Sequence, residues 1–269
     1  MSAALKGAEL AVLATPTQYL APVLEKMSAV DFPAGLVVVN VAKGIENNSL
    51  RRISGVVADI LGDRVRYVVL SGPSHAEEVA RQVPTLVTAA SLDTDAAQLV
   101  QQTFMNRRFR VYTSGDVVGV ELGGALKNVF AVAAGIIDGM KLGDNPKAAL
   151  MARGISELGR LGEALGGNRE TLAGLAGIGD LIVTCTSGHS RNRHVGEELG
   201  RGHKLAEILK DMGMVVAEGV YTAKSAKELA ERTGVETPLL DAVYAVLYED
   251  RPVPEILNEL MTRAPKAEF

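Results

Sequence analysis

The sequence has a single cysteine, Cys185, in 269 residues. An intrachain disulfide framework is therefore excluded, and a reducing compartment fits best. Positive charge is not in excess either: 28 Lys and Arg stand against 32 Asp and Glu, a formal net charge of −4. That balance argues against a nucleic-acid partner or an anionic membrane surface, since such proteins concentrate Lys and Arg on one face. A small anionic ligand held by a few local cations is still compatible. No stretch reads as the roughly 20 apolar residues that cross a bilayer. The run Leu10–Ala14 is too short for a secretory leader, and Glu9 adjoins it. It reads as a strand, and the chain as a soluble cytoplasmic protein. Internal repeats, low-complexity tracts and long linkers are also absent.

With 47% hydrophobic residues, the chain is long enough to bury one large core or two modest ones. To about Val111, short β-branched runs (9–15, 36–42, 65–71, 85–91, 109–112) alternate with helix-like segments near Gln18–Met27, Leu50–Leu61, Ser74–Arg81 and Asp93–Phe104. Continuous apolar strands alternating with helices predict a mostly parallel sheet covered on both faces. After Tyr112 the strand signal ends. Helices are predicted over about 116–140, 146–165, 192–200, 203–212, 218–233, 239–248 and 254–262. The fold class is thus α/β: a doubly wound, Rossmann-like but incomplete sheet in 1–114, then an all-α domain in 115–269. It is incomplete because such a sheet opens with a strand, a G-x-G-x-x-G turn and a helix that receives a pyrophosphate. Nothing before Glu9 can form that unit. The glycines of 116–140 (Gly119, Gly123, Gly124) imply close approach of another helix or a ligand, either at a homodimer interface or inside the molecule.

Lys127 lies in an apolar, glycine-rich stretch. It either snorkels to solvent or enters a cleft where desolvation lowers its pKa enough for proton transfer. Asp180, between a glycine-rich turn and an apolar run, is either a site carboxylate or the N-cap of the next helix. Ser190, Arg191, Asn192 and Arg193 read as a cap and first turn, a positive helix end suited to phosphate or an ordinary basic surface helix. Lys43 and the turn Gly72-Pro73-Ser74 follow strand ends, where open α/β sheets bind ligands; Ser74 is expected to cap the following helix. The four histidines (75, 189, 194, 203) show no metal-ligand spacing, and no metal is expected. Cys185 reads as a packed residue rather than a nucleophile.

In order and spacing, SGPS-x-A-E (71–77), LGGALKN (122–128), AGIGDLIVTCTS-x-x-SRN (176–192) and VVAEGVYTAK (215–224) resemble the motifs of NAD(P)-dependent glycerol-3-phosphate dehydrogenases of bacterial type. The likeness runs from about Ala8 to Tyr248. It implies an oxidoreductase that interconverts sn-glycerol 3-phosphate and dihydroxyacetone phosphate with NAD or NADP and supplies glycerol 3-phosphate for phospholipid synthesis. By position, the resemblance makes Lys127 the proton donor and acceptor. Lys43, Gly72, Ser74, Asp180, Ser190, Arg191 and Asn192 become substrate contacts. Lys43, Ala76, Arg191, Val216 and Glu218 become cofactor contacts, with Thr15-Pro16-Thr17-Gln18 near the nicotinamide. His75 stands where the family more often has an apolar residue. The family would also place about two βα units, on the order of 60 residues at about 30 each, before Ala3. If Met1 is the true start, the chain is expected to be poorly stable or inactive alone; if Met1 is an internal codon, the native protein is an ordinary dehydrogenase. The alternative is a non-catalytic remnant that keeps a phosphate-binding or oligomerising helical domain.

Overall fold

The computed structural model describes residues 1–213 and 216–268. A short helix α1 (Ser2–Leu5) precedes β1 (Leu10–Leu13), a turn at Thr17–Tyr19 and α2 (Leu20–Ser28). There follow β2 (Leu36–Asn40), α3 (Ile53–Leu61), β3 (Val65–Ser71), α4 (Ala76–Ala80), β4 (Thr85–Ala90), α5 (Thr94–Phe104) and β5 (Phe109–Ser114). The strands lie in the order β1-β2-β3-β4-β5. Every neighbouring pair is parallel except β3–β4, where Leu70 pairs with Ala89 antiparallel.

β2 shows why the sheet reads as continuous apolar text. All five of its residues are buried, and successive side chains point to opposite faces. Leu36 and Val38 join Leu13, Leu24 of α2 and Ile53 of α3 on one side. Val37 and Val39 join Val87, Val111 and Val100 of α5 on the other. Ser74 departs from expectation: α4 starts at Ala76 with His75 at the N-cap, and the Ser74 hydroxyl turns back to donate to the Gly72 carbonyl at 3.0 Å. That local bond removes it from the capping position.

The rest is helical: α6 (Val117–Gly139), α7 (Asp144–Ala164), α8 (Arg169–Leu172), a π turn at Leu175–Gly179 and α9 (Asp180–Thr186). Then come α10 (Arg191–Gly200), α11 (Leu205–Met212), α12 (Glu218–Thr233), α13 (Pro238–Tyr248) and α14 (Val253–Met261). Contrary to the sequence expectation, α6 does have the length and hydropathy of a membrane span, but 89% of its most apolar window is buried inside the protein. It is the central helix of the fold. Asp116 caps it, accepting from Gly119 N at 2.8 Å. Its small residues serve an internal crossing: a Cβ at Gly135 would lie 1.9 Å from the Arg193 carbonyl oxygen, and one at Gly196 of α10 would lie 1.9 Å from that of Val132. The backbones of α6 and α10 touch because both helices carry glycine there.

α13 is capped from outside. Its N-cap residue Thr237 makes no capping bond, and Glu157 of α7 accepts from Leu239 N (2.9 and 3.1 Å) and Leu240 N (3.2 Å) instead. Burial pushes the Glu157 pKa up to about 7 against the pull of those bonds. The folded chain therefore holds this proton more tightly than the unfolded chain, and the group's contribution to stability falls as pH rises from about 4.5 to about 7. Thermal melts across that range should show a declining Tm, and Glu157→Gln should flatten the decline; an unchanged slope would remove Glu157 as its source.

Candidate active site

Lys127 sits in the middle of α6 and is 5% exposed. It does not snorkel. Its Nζ donates to Asp180 Oδ1 at 2.5 Å and to Thr184 Oγ1 at 2.6 Å. Asp180, 1% exposed, occupies the first turn of α9 with Gly179 at the cap position, so the N-cap alternative does not hold. Its second oxygen accepts from Lys43 Nζ at 2.7 Å, and Lys43 also donates to the Gly72 carbonyl at 2.9 Å. Two ammonium groups thus share one buried carboxylate.

The electrostatics follow. Burial lowers the Lys127 pKa to about 8; Asp180 opposes the fall and the neighbouring Lys43 adds to it. For Asp180, burial alone would raise the pKa, yet Lys127 and Lys43 outweigh it and hold the carboxyl below its ordinary value. Lys127 is therefore a cation that gives up its proton near physiological pH.

A second network joins this cluster to the SRN segment. Asn128 donates to the Lys43 carbonyl at 3.1 Å and accepts from Asn192 Nδ2 at 2.9 Å. Asn192 Oδ1 accepts from Gly219 N at 2.8 Å. The residue after Lys127 is thereby bonded to the residue after Arg191, and that in turn to the residue after Glu218. Ser190 caps α10 as predicted, accepting from Arg193 N at 3.2 Å, which leaves its hydroxyl proton free to donate. Arg193 donates to the Ser187 carbonyl at 3.0 Å and to Asp138, fixing the turn ahead of the cap.

Glu218 accepts from Thr17 N at 2.8 Å. Its other oxygen and the Thr17 hydroxyl are buried without a well-formed partner. Both crowd Gly44, where a Cβ would lie 2.5 Å from Thr17 Oγ1 and 2.9 Å from Glu218 Oε2. Burial raises the Glu218 pKa, while Thr17 and Arg191 oppose the rise. Arg191 is exposed at the start of α10. Ala76 is exposed at the start of α4, and Val216 is half-buried just before α12. Val215, the first residue of the VVAEG motif, lies outside the described residues.

Sequence reasoning assigned no role to Thr184, Asn128 or Glu121. Thr184 follows Asp180 by one helical turn, the spacing that puts both on one face. Cys185 is buried, and its thiol is pushed up to about 12 by that burial. No His, Cys, Asp or Glu group suited to a metal ion occurs among the described residues. Two hollows, of about 600 Å³ between α10 and α11 and about 560 Å³ beneath α7, α13 and α14, do not include Lys127, Asp180 or Glu218 in their walls.

A family model described as the N-terminus of NAD-dependent glycerol-3-phosphate dehydrogenase matches residues 1–97, and one described as its C-terminus matches 116–258. The chain belongs to the NAD-dependent glycerol-3-phosphate dehydrogenase family. It is 53% identical over 264 residues to the glycerol-3-phosphate dehydrogenase [NAD(P)+] of Geobacter metallireducens, spanning 97% of this chain and 78% of that protein. The Lysinibacillus sphaericus protein of the same name is 54% identical over the same shares. Among solved structures, glycerol-3-phosphate dehydrogenase from Coxiella burnetii superposes with a TM-score of 0.92 at 39% identity, covering 98% of this chain and 80% of that one. That superposition shows this chain and the Coxiella burnetii enzyme to share one fold.

Proposed function

We propose that the cluster around Lys127 interconverts sn-glycerol 3-phosphate and dihydroxyacetone phosphate with NAD or NADP. The observation that carries this reading is the buried Lys127 ammonium, paired to Asp180 and crowded by Lys43. An NAD(P) cofactor fits the residues present: the unpartnered Glu218 carboxylate oxygen and Thr17 hydroxyl beside Gly44 match an amide-bearing ring. Arg191, Lys43, Ala76 and Val216 would complete the hold. When bound, the nicotinamide supplies or accepts the hydride.

In ketone reduction the Lys127 ammonium delivers its proton to the oxygen that is gaining negative charge. A cation fixed where that charge appears lowers the barrier. Asp180 and Thr184 keep the ammonium from turning away. Burial and the Lys43 charge favour the neutral amine left after transfer, and in alcohol oxidation that amine is the base. The free Ser190 hydroxyl, Arg191, the α10 N-terminus and the Gly72–Ser74 turn bind the phosphate and orient the reacting carbon, so that remote binding becomes positioning. Asn192, engaged with Asn128 and Gly219, holds Arg191 in register. The same reading assigns dinucleotide binding to 1–114 and substrate binding to 115–269, and a cytoplasmic location; supply of glycerol 3-phosphate to phospholipid synthesis is its proposed role. A homodimer would use a face other than the α6 glycines, since Gly135 and Gly139 meet α10, Gly123 meets the π turn and Gly124 meets Ser71 and Lys43.

Titration with NADH and NADPH, followed by nicotinamide fluorescence and by oxidation on addition of dihydroxyacetone phosphate, tests the assignment. Saturable binding and ketone-dependent oxidation are expected. Failure to bind either nucleotide would favour a non-catalytic, phosphate-binding helical unit, and oxidation with a different ketone only would reassign the substrate.

A further inference from the structure

Glu121 stands on α6, buried, yet the bonds its carboxylate accepts all come from the sheet-bearing half. One oxygen accepts from the Ser54 backbone N–H and the Tyr67 hydroxyl, each at 2.7 Å. The other accepts from the Ser54 hydroxyl at 2.7 Å and Arg52 Nη1 at 2.6 Å. α3 has no cap of its own, since Arg52 occupies the N-cap position without a capping bond. Glu121 supplies that cap from another helix, placing a negative charge at the positive helix end. A carboxylate is costly to bury unless its lone pairs are met, and here four donors meet them.

The segment 41–52 connects β2 to α3 and is tied to α6 twice. Near its start, the Lys43 carbonyl accepts from Asn128 and the Lys43 ammonium reaches Asp180. At its end, Arg52 reaches Glu121. The two attachment points on α6 lie about 10 Å apart along the helix axis. Between these ties Gln18 bonds both Ile45 and Asn47 and Ser225 bonds Asn47, so the loop is held along its length and Glu121 secures its far end.

We propose that Glu121 is a positioning residue for the reaction: by clamping Arg52 and the first turn of α3 to α6, it secures the far end of the loop that carries Lys43 and, together with the ties at Ile45 and Asn47, holds Lys43 at its distance from the Lys127–Asp180 pair. This rests on the function proposed above, in that Lys127 handles the proton. The ionisable groups that bear on Lys127 are Asp180 and Cys185 from α9, Lys43 from the loop, and His75 ahead of α4. Of these, the clamp bears on Lys43. Releasing it removes a positive neighbour, so Lys127 should hold its proton more tightly and substrate that contacts Lys43 should bind less well.

The test uses Arg52→Gln, at a side chain 31% exposed, together with Glu121→Gln and the double variant, in the full chain. Two readouts are taken: the titration of Lys127 followed by NMR of isotopically labelled lysine, and kinetics with dihydroxyacetone phosphate. In the single variants the Lys127 midpoint should rise by about half a unit or more. KM for the ketone should rise about tenfold. The double variant should lose little more than the worse single variant, because both single changes break the same tie. A folded Arg52→Gln protein with an unmoved midpoint and a KM within about twofold of the parent would reduce Glu121 to a structural cap and overturn the proposal. Because the NMR titration needs no turnover, a parent protein inert toward the ketone would refute the proposed substrate without being mistaken for failure of the clamp.

Discussion

Lys127→Met should lower kcat for ketone reduction by about 10²–10⁴-fold, the range for loss of a positioned proton donor. KM for the phosphorylated substrate should change far less, because the phosphate contacts lie on α10 and the Gly72–Ser74 turn. In the parent protein the reduction rate should fall as pH rises through about 8, where Lys127 loses its proton, and the oxidation rate should rise through the same point. The stability linkage has a definite sign. With the folded pKa held below its ordinary 10.5, the unfolded chain binds more protons between about 8 and 10.5, so this group makes the protein more stable as pH increases across that window. Lys127→Met should abolish both the rate dependence and that slope. Lys127→Arg should not rescue turnover, since a guanidinium keeps its proton throughout this range. Stopped-flow rates and melts across the pH series check these outcomes; a Met variant with more than a tenth of parental kcat would remove Lys127 from the chemistry.

The second large effect is expected at Gly196. Alanine is the better helix former by about 1 kcal/mol, so α10 considered alone predicts stabilisation. The crossing with α6 predicts the reverse: the added methyl would lie 1.9 Å from the Val132 carbonyl oxygen, a backbone atom that cannot swing aside. Gly196→Ala should therefore cost about 2–3 kcal/mol, as overpacking does in dense interiors. It should also weaken binding of the phosphorylated substrate, because pushing α10 outward pulls Asn192 from Asn128. Denaturant unfolding measures the first effect and calorimetric titration with glycerol 3-phosphate the second. A raised midpoint would show that the helices separate there at little cost.

Much of this was legible in the chain itself. The five strands stood out because runs such as LVVVN and VRYVVLS are too short and too β-branched for helices. Glycines inside the apolar text of α6 correctly signalled a close approach. What they met was hidden, because the partners lie in separate segments: the Ala176–Gly177 backbone for Gly123, Ser71 and Lys43 for Gly124, and α10 for Gly135. The antiparallel step between β3 and β4 left no local trace, since apolar runs look alike in either direction. Ser74 misled for a physical reason: a hydroxyl beside a helix start can cap it or bond its own turn, and the Gly72 carbonyl was nearer. Among site residues, Lys127 and Asp180 announced themselves as charges in apolar surroundings, and Lys43 as a cation just beyond a strand end. Thr184, Asn128 and Glu121 did not, because a single polar residue in a helix shows nothing of its partners until neighbouring elements are in place. Arg193, grouped with the phosphate-binding turn, instead braces the loop before it.

The segment 41–52 has a last consequence. It leaves β2, yet Ile45 is 0% exposed within the helical core, and its carbonyl accepts from Gln18 at 2.8 Å and Ser225 at 3.4 Å. Prising the sheet away from the helices would strip that isoleucine of its surroundings, at about 2–3 kcal/mol for the side chain alone. The two halves are riveted rather than hinged at this corner, so heat should undo them together in one calorimetric peak.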